Sequence, residues 1–214
     1  PERGTVLPGQ FLPLAERTGL IGAIGRSVLP ELGTFATTAR DLSQRDDFFI
    51  SLNVSQFQLH DAAYTNTLRQ TLAAAAFPLR NLVIEVTENF APVERDHMAA
   101  FSEILGSNDA RFALDDFGSG NWSLDHLWRL PFSILKLDRR LVANIAESPD
   151  DRNLLEDLVA LAGEHNLCTI AEGVETAEQV DLLIGMGIDG MQGFKLSTPL
   201  TADESLGQIM AAAA

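Results

Sequence analysis

The stretch RFALDDFGSGN, residues 111–121, decides the reading of this chain. Phe112, Ala113 and Leu114 form an apolar run of strand type. The run meets two adjacent carboxylates, Asp115 and Asp116, and a glycine turn comes next at Gly118. A buried strand that becomes acidic at its C-terminal end, then turns sharply, points to a parallel sheet with chemistry at its rim.

Working outward, the same unit recurs. DFFISLNVS is an apolar run ending at Asn53, and NLVIEVTEN places a strand over about 82–86 with Glu85 late in it. SILKLD (133–138), CTIAEGVE (168–175) and GMQGFKLS (190–197) read as the fourth, fifth and sixth strands. Helices are expected between them. Residues 8–42 read as helical, with Leu20, Ile24, Val28, Leu32 and Phe35 on one face; a short helix is expected near 62–75. Met98, Phe101 and Leu105 line the next helix. Ser148, Pro149, Asp150 and Asp151 signal the start of another, striped by Leu154, Leu155, Leu158, Leu161 and Ala162. Thr176 with Gln179, and Thr201 with Glu204, have capping-box spacing.

Strand and helix alternate without a long polar linker or a repeat, which predicts parallel strands covered by helices. Two architectures compete: an open doubly wound sheet and a (β/α)8 barrel. The glycine fingerprint of a dinucleotide-binding sheet is absent. Six strands in 214 residues, with a ragged start at Pro1, fit a single TIM-like barrel domain (1–214) lacking its first two strands.

Composition narrows the function. The formal charge is −15, with 30 acidic against 15 basic residues, which disfavours a nucleic-acid polymer as partner. It leaves room for an anionic substrate where metal ions neutralise the site. The one cysteine, Cys168, allows no internal disulfide, so a reducing, cytoplasmic compartment is expected. The longest bland run, LAAAAFPL (72–79), is too short to span a bilayer.

The polar residues at the strand ends are Asn53, Glu85 with Glu88, Asp115 with Asp116, Lys136 with Asp138, Glu172 with Glu175, and Gln192. Singly, each has a plain structural reading. A lone Asp after a strand is ordinarily a turn or cap residue, Glu175 adjoins a capping box, Asn53 can bond its own loop, and Lys136 can be a solvated tip. Recurrence on every strand argues for one shared rim. Several carboxylates ~4–6 Å apart repel, and a hard divalent cation relieves them. Oxygen donors without Cys or His suit Mg²⁺ or Mn²⁺ rather than zinc. A metal pair ~3.5–4 Å apart is the usual device for in-line phosphodiester hydrolysis, with Lys136 steadying developing charge. The four histidines, His60, His97, His126 and His165, show no ligand spacing.

The order LPGQFLPLAERTGLI, LNVS, IEVTEN, ALDDFGSG, LPFSILKLD, AEGVET and MQGFKLSTPL resembles the EAL domain, the bacterial cyclic-di-GMP phosphodiesterase module. The resemblance implies a TIM-like barrel in which two Mg²⁺ or Mn²⁺ ions help open cyclic-di-GMP to linear pGpG. It matches Asn53, Glu85, Asp115 and Asp116 to metal-binding positions and Lys136 to a catalytic lysine. Glu172 matches a glutamate of metal or water activation, Gln192 a supporting polar residue, and Glu88 a glutamate that steadies the loop after DDFG. PGQF and the final TPL, with Pro199, resemble nucleotide-contacting surfaces.

Two departures stand out. The Glu-x-Leu motif that names the family is expected upstream of Pro1. The loop Gly118-Ser119-Gly120-Asn121-Trp122-Ser123-Leu124 replaces a tyrosine by Asn121 and a serine by Trp122. The family uses this loop to couple metal binding to dimer contacts; Trp122 and Trp128 have two readings, core packing, slightly favoured, and the face of a homodimer. Upstream sensory or GGDEF domains, and a membrane-anchored parent, are further implications of the resemblance. The activity expected is a metal-dependent phosphodiesterase. The alternative is an inactive cyclic-di-GMP receptor.

Overall fold

The computed structural model describes residues 6–42, 48–87, 95–106, 110–118, 127 and 130–213. Six parallel strands lie in chain order: β1 (Ile50–Asn53), β2 (Leu82–Thr87), β3 (Arg111–Phe117), β4 (Phe132–Leu137), β5 (Cys168–Ala171) and β6 (Gly190–Met191). Each pairs with its sequence neighbour. This is a sheet wound in one direction, as a barrel winds, with no reversal of strand order of the doubly wound kind.

Nine described α-helices join and cover the strands: α1 (Pro8–Arg17), α2 (Ile21–Leu42), α3 (Gln56–Leu59), α4 (Ala62–Ala74), α5 (Arg95–Leu105), α6 (Arg139–Val142), α7 (Pro149–Glu164), α8 (Ala177–Met186) and α9 (Ala202–Ala213). None is long and apolar enough to cross a membrane.

The sheet has two unlike faces. Leu82, Ile84, Val86, Phe112, Leu114, Leu135, Leu137 and Ala171 point outward into the large core beneath the helices. Val83, Ala113 and Ile134, with Cys168 and Ile170 against them, form a small separate cluster on the inner face. Side chains alternate along each strand, so the residue two places further on returns to that inner face. After Val83 comes Glu85, after Ala113 Asp115, after Ile134 Lys136, and after Ile170 Glu172. Apolar packing at the bottom thus delivers a charged group at the top of four successive strands.

Several local expectations are revised. The first helical stretch is two helices, parted at Gly19, whose φ of 72° suits glycine. The buried stripe of α2 is Ile21, Leu29, Leu32, Ala36 and Ala39, whereas Leu20 and Val28 are exposed. Small residues explain the rotation, because α2 approaches its neighbours through them. A Cβ on Gly25 would stand 2.0 Å from Gln58 Nε2, and one on Gly33 2.9 Å from Thr71 Cγ2. On α7 the buried set is Leu155, Val159 and Ala162, and Leu154 is exposed. β5 and β6 are shorter than the apolar runs suggested, since Gly173 (φ 67°) and Gly193 turn the chain at the rim.

The capping signals are present as read. Ser148 accepts from Asp151 N, Thr176 and Gln179 form a reciprocal box, and Thr201 pairs with Glu204. Trp122, Trp128, His126 and the altered loop from Ser119 lie outside the described residues.

Candidate active site

The C-terminal ends of β2 to β5 converge on one ammonium. Lys136 Nζ donates to Glu85 Oε2 at 3.0 Å. It also lies 2.8 Å from Asp115 Oδ1 and 2.7 Å from Glu172 Oε1. Lys136 and Glu85 are buried, and Asp115 and Glu172 nearly so. Burial alone would lower the lysine's pKa, but the attraction of Glu85, Asp115 and Glu172 outweighs it and holds the ammonium well above the usual lysine range. Lys136 is therefore a fixed positive charge.

Asp116 reaches the same rim by breaking strand alternation. Leu114 pairs with Leu135 and Phe117 with Leu137, so three steps on β3 face two on β4. The extra residue is a β-bulge, and within it Asp116 has φ 58°. Aspartate tolerates this left-handed conformation better than most side chains. Oxygens of Asp115, Asp116 and Glu172 come within 4.8 Å of one another. Burial, followed by the charges of Asp115 and Asp138, raises the Asp116 pKa. Burial likewise raises that of Glu172, against the pull of Lys136.

This donor set fits a hard cation. Four carboxylates, Glu85, Asp115, Asp116 and Glu172, surround one ammonium. Asp115 Oδ1 is buried and shares the Lys136 ammonium with Glu85 and Glu172. One ammonium does not balance four clustered carboxylates, and a further cation would relieve the remaining repulsion. No histidine or cysteine joins the cluster among the described residues.

A cavity of about 300 Å³ opens beside the cluster, bordered by Asp116, Asp138, Arg139, Glu172, Gln192 and Phe194. A second, on the inner face beneath, is lined by Glu85, Lys136 and Gln192 among others. Gln192 borders both. Asp138 caps α6, with Oδ1 accepting from Arg140 N at 2.9 Å and Arg140 Nε at 2.8 Å. Burial pushes its carboxyl up, but these hydrogen bonds prevail and hold it below the usual range.

The remaining candidates separate. Asn53 is aligned with Glu85 in the β1–β2 register and is exposed at the rim. Glu175 stands apart: its amide donates to Gln179 Oε1 at the start of α8, and it borders a neighbouring cavity with Arg140 and Gln179. Pro199 is exposed and borders neither acidic cavity. Glu88 lies outside the described residues. Asp138, Arg139 and Phe194 are wall residues to which the sequence assigns no role. For Asp138 a signal exists, since it stands among the strand-end polar residues and is two places beyond Lys136. Arg139 and Phe194 carry no such signal.

A parallel sheet wound in chain order, with an acidic cluster at the strands' C-terminal ends, defines a barrel-type domain with a candidate hydrolytic centre. The chain belongs to the EAL domain family, whose sequence profile matches residues 1–199. It is 37% identical over 209 residues to the bifunctional diguanylate cyclase/cyclic di-GMP phosphodiesterase MucR of Pseudomonas aeruginosa, covering 98% of this chain and 30% of MucR. It is 32% identical over 209 residues to the cyclic di-GMP phosphodiesterase PdeL of Escherichia coli, covering 97% of this chain and 57% of PdeL. The chain therefore spans under two thirds of these relatives' lengths. Among solved structures, the PaMucR phosphodiesterase in complex with c-di-GMP superposes with a TM-score of 0.84 at 38% identity, covering 96% of this chain and 83% of that one.

Proposed function

We propose that this chain is a metal-dependent phosphodiesterase that hydrolyses cyclic-di-GMP to linear pGpG. The observation that carries the reading is the Lys136 ammonium held by Glu85, Asp115 and Glu172, with Asp116 beside it. The activities named for MucR and PdeL support the substrate.

Asp115, Asp116 and Glu172, with Glu85 and Asn53 from the adjoining strands, would hold Mg²⁺ or Mn²⁺. Two ions are the arrangement we favour, because four carboxylates exceed what one divalent charge and one ammonium balance. Bound there, such ions supply charge neutralisation and lower the pKa of water. The chain's own groups do the rest. Lys136 fixes the carboxylates on three strands and offsets negative charge developing on the phosphate. Glu172, on the cavity wall beside Asp116, would take the proton of the attacking water. The new P–O bond forms as the bond to the ribose 3′-oxygen breaks, that oxygen takes up a proton, and one water is consumed per ring opened.

The greater length of the relatives supports a role as one module of a larger protein. The test is turnover. The protein, with whatever sequence its gene encodes upstream, is incubated with cyclic-di-GMP and Mg²⁺ or Mn²⁺, and pGpG is followed by chromatography. Conversion abolished by EDTA and restored by either metal is expected. Tight binding without conversion in both metals would replace the enzyme with the receptor reading. No binding and no conversion would remove both.

A further inference from the structure

We infer that Gln179, on α8, is a positioning residue for the acidic rim: its side-chain amide clasps the turn after β5 to the end of α6 and so holds Glu172 at Lys136. This role rests on the phosphodiesterase reading above. It goes beyond the helix capping that the spacing of Thr176 and Gln179 signals.

Gln179 is polar yet only 5% exposed. A buried amide is tolerated where its donors and acceptor are met, and here backbone groups of two separate segments meet them. Oε1 accepts from Glu175 N at 2.8 Å and from Thr176 N at 3.0 Å. Nε2 donates to Val142 O and Ala143 O, each at 3.3 Å. The capping box of α8 needs only the bonds exchanged with Thr176. The bonds to Val142 and Ala143, 37 and 36 positions away, do nothing for that cap. They satisfy carbonyls at the C-terminal end of α6, a four-residue helix whose other end is capped by Asp138.

Both clasped segments start at the site. α6 follows Lys136 and Asp138, and the turn follows Glu172 directly. Glu172 N donates to Leu137 O at 3.0 Å, and beyond that bond the two chains part. The turn at Gly173 has φ 67°, and a Cβ there would fall 2.4 Å from Arg139 Cβ, so its bare backbone lies against the start of α6. Next, Val174 N donates to Gln192 O at 3.1 Å, and Lys195 N donates to Val174 O at 3.0 Å, which ties the turn to the segment after β6. Gln179 supplies the tie on the α6 side. Held on both flanks, the turn keeps Glu172 Oε1 2.7 Å from Lys136 Nζ. Loss of such outer support around a metal site typically costs 10–100-fold in metal affinity or activity.

Coupling of this kind is reciprocal. A clasp that helps the carboxylates hold a metal is itself held closed by the metal. A cap serving α8 alone has no such dependence.

The first test uses the wild type, prepared as for turnover. Hydrogen–deuterium exchange at the Glu175 and Thr176 amides is measured in EDTA and in saturating Mg²⁺. Exchange should slow by ~10-fold with the metal. The Thr201 amide, bonded to Glu204 Oε2 in the capping box of α9, serves as control and should not change. The second test separates the clasp from the cap. Gln179→Glu keeps an acceptor for Glu175 N and Thr176 N but loses the donor to Val142 O and Ala143 O. Thr176→Ala loses the hydroxyl that accepts from Gln179 N and keeps the reach to α6. Gln179→Glu should raise the Mn²⁺ Kd by ~10-fold in isothermal titration. It should also lower kcat for cyclic-di-GMP at saturating Mn²⁺ by a similar factor, with KM moved far less. Thr176→Ala should lower Tm and leave Mn²⁺ Kd and kcat near wild type. Metal-independent exchange at Glu175 and Thr176, a wild-type Mn²⁺ Kd in Gln179→Glu, or equal losses in the two variants would overturn the clasp and leave the phosphodiesterase reading intact. Should Gln179→Glu fail to fold, the exchange measurement decides alone. If the wild type binds cyclic-di-GMP without turnover, exchange and Mn²⁺ Kd decide. A wild type that neither binds Mn²⁺ nor converts cyclic-di-GMP would overturn the reading and the clasp together.

Discussion

Lys136 Nζ lies 2.7 Å from Glu172 Oε1, and the same nitrogen reaches Glu85 and Asp115 from the neighbouring strands. One ammonium thus ties β2, β3 and β5 to β4 at the rim. Removing one partner of a buried ionic cluster strands the others. Lys136→Met in EDTA is therefore expected to cost about 3–5 kcal/mol in urea unfolding. Added Mn²⁺ should recover part of the loss by meeting the same carboxylates. Turnover should fall by at least ~10²-fold, on the scale of one lost electrostatic stabiliser. A stability loss below about 1 kcal/mol would mean the cluster is solvated rather than shared.

Asp115 and Asp116 divide differently. Asp115 keeps to strand alternation, and Asp116 depends on the bulge and its φ of 58°. Asp116→Asn keeps a side chain that tolerates that conformation, whereas Asp116→Ala adds backbone strain of roughly 1–2 kcal/mol. Both should lose Mn²⁺ affinity, read by isothermal titration. In EDTA, the asparagine variant should unfold at higher urea than the alanine variant. Equal midpoints would remove the strain argument.

Much of this arrangement is legible in the sequence because burial and chemistry share a period of two. Val83–Glu85, Ala113–Asp115, Ile134–Lys136 and Ile170–Glu172 each set an apolar residue two places before a charged one. Any reading that finds the strands finds the rim. The bulge is not legible, since nothing in the string DDF says that β3 takes three steps against two on β4. Nor is the buried face of α2, which is chosen by close approach at Gly25 and Gly33 rather than by the largest apolar residues. Spacing alone draws Glu175 into the rim, yet the backbone turn at Gly173 carries it to the neighbouring cavity. Arg139 and Phe194 gain meaning only from the cavity between them.

Gly193 gives a steric prediction. A methyl group there would sit 2.2 Å from both Val174 N and Val174 O, which are backbone atoms paired with Gln192 and Lys195. Relief requires the rim after β6 to move. Gly193→Ala should destabilise the protein by about 1–3 kcal/mol, the usual range for overpacking. Because Gln192 and Phe194 flank this position, KM for cyclic-di-GMP should rise as well. Gly185→Ala, where a Cβ meets nothing within 4 Å, should leave both KM and the unfolding midpoint near wild type.

Tyr64 is the chain's single tyrosine and is buried in the main core, 1% exposed. Burial raises its phenol from 10.0 to about 12. An unfolded chain ionises tyrosine near pH 10, and the folded chain keeps the proton longer. The stabilisation is therefore complete below pH 10 and is lost as pH rises through about 12, where two units correspond to about 2.7 kcal/mol. With one tyrosine, phenolate absorbance reports this group alone. It should stay silent through pH 10–11 in the folded protein and appear with global unfolding. Lys136, whose pKa is also raised, loses stability in the same direction above the usual lysine value, so the two must be separated. Tyr64→Phe does so by removing the phenol's share and leaving that of the lysine: urea midpoints measured from pH ~9 to ~11.5 should fall less steeply in the variant. Phenolate absorbance with a midpoint near pH 10 while circular dichroism stays native would show Tyr64 to be in contact with water and would undo its burial in the main core.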